Sequence, residues 1–199
     1  MTPQAIYLRI HHLVLYLLYI SPNHRESSRY LLISGISLAI LPEGIRHRLL
    51  DFLKKRSPQL KVAFDSNYRP NLWESKKIAQ KSIRRAFIYS DVALPSLDDE
   101  MDLLELKTED EVSGWFSNTN VPQTVLKRGP SGPRLIGTVT HDCKFPSIQN
   151  VTDSTAAGDS FNAGFLASYL MGYSVYDSAR SGHNLAKVVV SHSGAICPK

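Results

Sequence analysis

VTDSTAAGDSFNAGFLASYLMG, residues 151–172, is the stretch on which the fold turns. It divides into a polar lead with Asp153 and Ser154, a bend of small residues Ala156-Ala157-Gly158, and an amphipathic segment from Asp159 onward. Asp153 and Ser154 are strong N-capping types. Phe161, Phe165, Leu166, Tyr169 and Leu170 recur at helical spacing, so the sequence predicts a helix starting near Gly158. The first turn of such a helix carries amide N–H groups with no partner inside the helix. Small side chains at 156–158 leave those donors open to an anion, which the helix dipole also favours. Asp159 adds a carboxylate in the same turn. Donors for phosphate charge beside a base for an attacking hydroxyl are the outline of a phosphoryl-transfer site. The plainer reading of the same residues is a capped helix whose small side chains serve tight packing.

Upstream, Phe64-Asp65-Ser66-Asn67-Tyr68-Arg69-Pro70 follows an apolar run. In an extended segment Asp65, Asn67 and Arg69 share a face. Asn67 can donate to a phosphate oxygen, and Arg69 offers a bidentate fork for a carboxylate or phosphate. A solvated strand end ahead of a Pro-initiated helix accounts for them equally. In Leu94-Pro95-Ser96-Leu97-Asp98-Asp99-Glu100 the three acids read as an acidic helix N-terminus, which the macrodipole favours. Val125-Leu126-Lys127-Arg128-Gly129-Pro130-Ser131-Gly132 describes, on its own, a hairpin turn. His183, in Gly182-His183-Asn184-Leu185-Ala186, reads as a packed or surface residue.

Between these segments strands and helices alternate. Tyr30–Ile33, 61–64, 86–94 and 123–127 read as strands, and 134–139 as a partner to the last across the Gly129–Gly132 turn. Helices are expected from Pro42 onward, with Ile45, Leu49, Leu50 and Leu53 on the apolar stripe, then over 72–85, 98–106, 109–116, about 158–171 and 175–192. This order predicts an α/β fold with a mostly parallel sheet covered by helices on both faces. Ligands then bind at the carboxyl ends of the strands. Residues 1–29 stand apart as an atypical N-terminal segment. Its apolar run over 5–20 contains Arg9, His11 and His12 and falls short of the roughly 20 residues a membrane span needs.

Composition bounds the function. The 199 residues suffice for one domain with a real core, and 43% hydrophobic with 21% charged residues is an ordinary globular balance. A net charge of +5 suits acidic small molecules. No dense Lys/Arg run interleaved with aromatics points to nucleic acid. Cys143 and Cys197 are too few for a disulfide framework, and the seven His show no metal-ligand spacing. A reducing cytoplasmic setting follows as the default, with neither membrane nor nucleic acid as partner.

Asp153-Ser154-Thr155-Ala156-Ala157-Gly158-Asp159-Ser160-Phe161, followed by Ala163-Gly164-Phe165, resembles the signature of the ribokinase-like, PfkB-type sugar kinases, with Ser154 at a position usually held by Thr. Ala156-Ala157 and the F-D-x-N-x-R-P run, with Leu72-Trp73 behind it, resemble the 2-keto-3-deoxygluconate kinase branch. Ser96 and Asp99 are similar to the family's N-x-x-E motif, and Lys127–Gly132 to its K-x-G-x-x-G segment. The resemblance covers residues 30–199, roughly the C-terminal two-thirds of such an enzyme. It finds no counterpart of the opening strand, the Gly-rich sugar-binding stretch or the β-structured lid.

The resemblance implies a ribokinase-like fold and ATP-dependent phosphorylation of 2-keto-3-deoxygluconate to its 6-phosphate. Asp159 is then the catalytic base, and Ala156, Ala157 and Gly158 form the anion hole. Nucleotide contacts are implied for Asn67, Arg69, Ser96, Lys127, Gly129, Gly132 and His183. The substrate carboxylate is implied for Arg69, and an indirect influence on Mg²⁺ for Asp99, the ion being held mostly through water and phosphate. Pairing through a lid is not expected, although oligomerisation stays open. Two rivals stand beside this reading: a kinase of another sugar, such as fructose or ribose, and a remnant that binds nucleotide without transferring phosphate.

Overall fold

The computed structural model describes residues 5–10, 13–19, 29–137 and 145–194. Seven strands form one sheet in chain order, β1 (Ala5–Ile10), β2 (Leu13–Tyr19), β3 (Arg29–Ser34), β4 (Leu60–Asp65), β5 (Val92–Ala93), β6 (Gln123–Leu126) and β7 (Arg134–Gly137). The central strands β3 to β6 run parallel, with Ile33 opposite Phe64, Phe64 opposite Ala93 and Ala93 opposite Thr124. Antiparallel β1 and β2 extend one end of the sheet, and antiparallel β7 the other. The α-helices among the described residues are α1 (Gly35–Ala39), α2 (Glu43–Lys55), α3 (Lys76–Ile88), α4 (Leu97–Leu104), α5 (Glu109–Ser117), α6 (Ala157–Leu170) and α7 (Val175–Val190). The expected ribokinase-like α/β architecture is the one observed.

The period-two alternation of each strand sorts its residues between two cores. Leu31, Ile33, Val62, Phe64, Ala93, Leu126 and Ile136 join Leu38, Leu50, Leu53, Ile83, Phe87 and Phe116 on the face covered by α1 to α5. Ala63, Val92, Leu94, Val125 and Leu135 join Phe161, Phe165, Leu166, Ala179 and Ala186 on the face covered by α6 and α7. Helices α6 and α7 approach closely because glycines meet backbone. A Cβ on Gly164 would lie 2.8 Å from the Ser181 carbonyl oxygen, and one on Gly182 would lie 2.6 Å from that of Phe161.

Three local expectations are corrected. Residues 86–94 are not a strand, because Ala86–Ile88 finish α3 and only Val92–Ala93 pair. The helix expected over 72–85 is a short 3-10 turn at Pro70–Leu72 followed by α3, which Ser75 caps by accepting the Ile78 amide. On α2 Ile45 is exposed, whereas Arg46 is fully buried. Its guanidinium lies 5.1 Å from the Trp73 ring centroid and 2.6 Å from the Glu74 carboxylate, an aromatic and ionic seat that admits a cation where the stripe called for an apolar group. His11, His12, Cys143 and Cys197 lie outside the described residues, as do 138 and 139 of the expected last strand. No described helix is long and apolar enough to cross a membrane.

Candidate active site

The carboxyl ends of β4, β5 and β6 meet the N-terminus of α6 at a cavity of about 570 Å³. Ser96, Leu97 and Asp98 form one wall, and Lys127 through Gly132 with Pro133 another. Ile148 and Val151 lie on a third side, and Ser154, Ala157, Gly158 and Phe161 together with His183, Ala186 and Val190 complete the lining. Its chemistry is divided. Pro130, Pro133, Ile148, Val151, Ala186 and Val190 give an apolar slot suited to a flat ring, while Lys127 and the start of α6 give a cationic, donor-rich end.

The α6 N-terminus differs in detail from its expected form. Helix α6 begins at Ala157, and its capping position, Ala156, has no side chain that can bond. Neither Asp153 nor Ser154 is the cap. Asp153 accepts from the Thr155 amide and hydroxyl and, through its other oxygen, from the Gly194 amide at 2.9 Å, contacts that hold its carboxyl below the usual range. This ties the bend to the chain just past α7. The Ala157 amide is taken by the Ser154 carbonyl at 3.0 Å. Among the described residues the Ala156, Gly158 and Asp159 amides meet no acceptor, so of the 156–158 donors only Ala157 is taken, and Asp159 adds another. Asp159 is exposed in the same first turn, without a hydrogen bond or ion pair to any described side chain.

Lys127 follows β6, where its backbone pairs with the loop after β5: its amide donates to Pro95 and its carbonyl accepts from Leu97, both at 2.8 Å. That pairing sets Ser96 beside it. Strand parity turns Asp65 and Lys127 to the α6 side of the sheet. The Lys127 ammonium donates to Asp65 Oδ2 at 2.7 Å and to Asn162 Oδ1 at 3.3 Å. Its Nζ is 3.7 Å from where a Cβ on Gly158 would stand. The K-x-G-x-x-G segment is a 3-10 turn at Gly129–Ser131. Gly132 has φ of 78°, and a Cβ there would lie 2.6 Å from that of Phe145. His183 is buried, and its Nε2 bonds the Pro146 carbonyl at 2.8 Å, so it fixes the segment ahead of Ile148.

The cavity thus gathers Ser96, Lys127, Gly129, Gly132, His183, Ala157 and Gly158, with Asp159 one residue beyond. It does not gather Asn67, Arg69 or Asp99. Asn67 adopts φ of 33° and its amide bonds the Asp65 carboxylate, which breaks the extended run that would have aligned residues 65, 67 and 69. Arg69 turns back to the Tyr68 carbonyl at 2.8 Å and to Asp99 at 3.4 Å. Burial raises the Asp99 carboxyl, the Arg69 guanidinium opposing it. Sequence reasoning missed two residues here. Asn162 joins the Lys127 cluster, signalled only by a polar side chain on the apolar stripe of α6. Glu100, read as part of an acidic helix N-terminus, is fully buried, and burial pushes its carboxyl up to about 8, opposed by the Ser66 hydroxyl and reinforced by Asp99 and Asp65.

Against this geometry the comparisons with known proteins are specific. The sequence pattern of the pfkB family carbohydrate kinases matches residues 21–199. The chain belongs to that family. It is 40% identical over 178 residues to the 2-dehydro-3-deoxygluconokinase of Escherichia coli K12, covering 85% of this chain and 57% of that protein. Against the same-named protein of Dickeya dadantii it is 40% identical over 174 residues, covering 85% and 56%. The chain therefore spans a little over half the length of these relatives. Among solved structures, a fructokinase from Vibrio cholerae O395, in a form with fructose, ADP and calcium ion bound, superposes with a TM-score of 0.73 at 20% identity, over 87% of this chain and 58% of that one. The aminoimidazole riboside kinase of Salmonella enterica, complexed with aminoimidazole riboside and an ATP analog, gives 0.72 at 22% identity, over 83% and 57%. Both share the fold.

Proposed function

We propose that this chain transfers the terminal phosphoryl group of ATP to the 6-hydroxyl of 2-keto-3-deoxygluconate. The observation that carries the reading is one helix start: unpaired amides at Gly158 and Asp159, the Lys127 ammonium against Gly158, and an unencumbered Asp159 carboxylate in the same turn. The amides and the ammonium hold the charge of the transferring group. Asp159 accepts the hydroxyl proton as the sugar oxygen attacks phosphorus. The apolar slot takes the base of the nucleotide, with the Gly129–Gly132 turn and Ser96 along its edge. Among the described residues no three His, Cys, Asp or Glu side chains gather to hold a metal ion, so Mg²⁺ fits here only as a nucleotide-borne ion reached through water, with Asp98 the acid of the α4 start that lines the cavity. When bound, that ion neutralises phosphate charge. The sugar-acid specificity is supported by the 40% identity to proteins named for this substrate.

The test is to titrate ATP and the sugar acid separately and to measure turnover in the wild type and in Asp159→Asn. We expect binding of both, and a loss of about 10²–10⁴-fold in kcat on losing the base, with ATP affinity nearly unchanged. An Asp159→Asn variant that keeps most of its rate removes the base assignment. Nucleotide binding without sugar-acid binding would leave the remnant reading standing in place of this one.

A further inference from the structure

The buried network beneath the α6 start has one member that none of the roles above requires. Asn162 is 4% exposed, Asp65 3% and Lys127 8%, so all three are largely buried, Lys127 reaching the cavity wall. The Asn162 amide works in both directions: its Nδ2 donates to Asp65 Oδ2 at 2.6 Å, and its Oδ1 accepts from Lys127 Nζ at 3.3 Å. An ammonium carries three N–H groups in a tetrahedral arrangement. Asp65 takes one and Asn162 a second. The third has no acceptor among the described residues, and Lys127 lines the cavity beside Gly158.

We propose that Asn162 is a positioning residue for the phosphate site: by holding one N–H of Lys127 it keeps the ammonium from closing wholly onto Asp65 and turns its remaining N–H toward the open amides of α6. The residue type matters. An amide donates to a carboxylate and accepts from an ammonium at once without adding charge. An apolar side chain would leave Lys127 and Asp65 as a closed pair, and an ionised carboxylate would set two negative charges on one cation and remove its attraction for an anion. The inference rests on the phosphate site of the proposed function, but on neither the sugar nor Asp159.

The experiment measures binding of inorganic tripolyphosphate, by calorimetry, to the wild type, Asn162→Asp and Asn162→Leu between pH 5.5 and 8.5. Asn162→Asp is informative because its acid in the protonated form has the donor and acceptor of the amide, whereas ionisation beside Asp65 destroys that match. Its affinity, taken as a ratio to wild type so that ionisation of the ligand cancels, should stand near one at pH 5.5 and fall about tenfold by pH 8.5. Asn162→Leu should bind severalfold more weakly at every pH. A ratio that stays near one for both variants across this range overturns the proposal, since a residue needed only for packing leaves anion affinity unchanged. Wild-type protein that fails to bind tripolyphosphate sinks the phosphate site and this inference together. Intact tripolyphosphate binding without sugar phosphorylation counts against the proposed function alone.

Discussion

The two faces of the sheet are built to different ends. On the α1–α5 face the packing is closed: Phe64, Phe87 and Phe116 are fully or almost fully buried, and Phe87 meets each of the other two edge-on, with ring centroids 4.9 and 5.0 Å away. On the α6–α7 face an equally apolar core around Phe165 and Leu166 gives way, at the carboxyl ends of the strands, to the cavity and to the buried Asp65–Lys127–Asn162 cluster. The same strands serve both, because alternate residues point to opposite sides. Both faces carry a buried core but the candidate ligand site lies on the α6–α7 face, so substitutions on the two faces should separate in what they change.

The largest expected effect comes from the closed face. Phe87→Ala should cost about 3–5 kcal/mol in chemical denaturation, through lost burial and the cavity it leaves. Tripolyphosphate affinity of the protein that remains folded should be unchanged, and a changed affinity would mean the faces are coupled. Glu100→Gln probes the boundary between them. The carboxyl of Glu100 sits at about 8 in the folded protein against 4.5 for the free side chain. The folded state therefore holds the proton more tightly, and stability present below about pH 4.5 is lost as pH rises toward 8. The wild type should weaken across that window by a few kcal/mol at most, and Glu100→Gln should lack this decline. Parallel pH profiles for the two proteins would remove Glu100 as the cause. Gly164→Ala drives a methyl group to within 2.8 Å of the Ser181 carbonyl. A cost of about 1–3 kcal/mol is expected, here together with weaker ligand binding, since α6 and α7 both line the cavity. The smallest effect belongs to Thr108→Ala, which breaks the capping box of α5, where Thr108 and Glu111 exchange hydrogen bonds. About 1 kcal/mol of stability should be lost, with no change in ligand affinity.

The closed face was the more legible in the sequence. Leu50, Leu53 and the Val62–Phe64 run declare themselves by periodicity. Errors arose where a polar residue found a private partner. Arg46 is buried because Trp73 and Glu74, nearly thirty residues on, supply a seat that no local pattern encodes. Residues 86–91 looked extended because Phe87 and Ile88 suit a strand, yet α3 carries its helical hydrogen bonds through Ile88. On the other face the motif residues Lys127, Gly129, Gly132 and Gly158 line one cavity, with Asp159 next along the chain. Asn67 and Arg69 lie outside its lining, a turn at Asn67 redirecting the chain. Asn162 and Glu100 escaped notice because their significance depends on what surrounds them in three dimensions.

The ammonium under the α6 start is held by residues far apart along the chain: Lys127 is 62 positions from Asp65, and Asn162 is 97. Closing loops of that length is entropically uphill until long-range contacts repay it, which makes such contacts late events in folding. A chain emerging from the ribosome therefore has no partial version of this cluster. It forms only once residue 162 is out and β4 to β6 have come together, so its presence reports that the sheet has assembled.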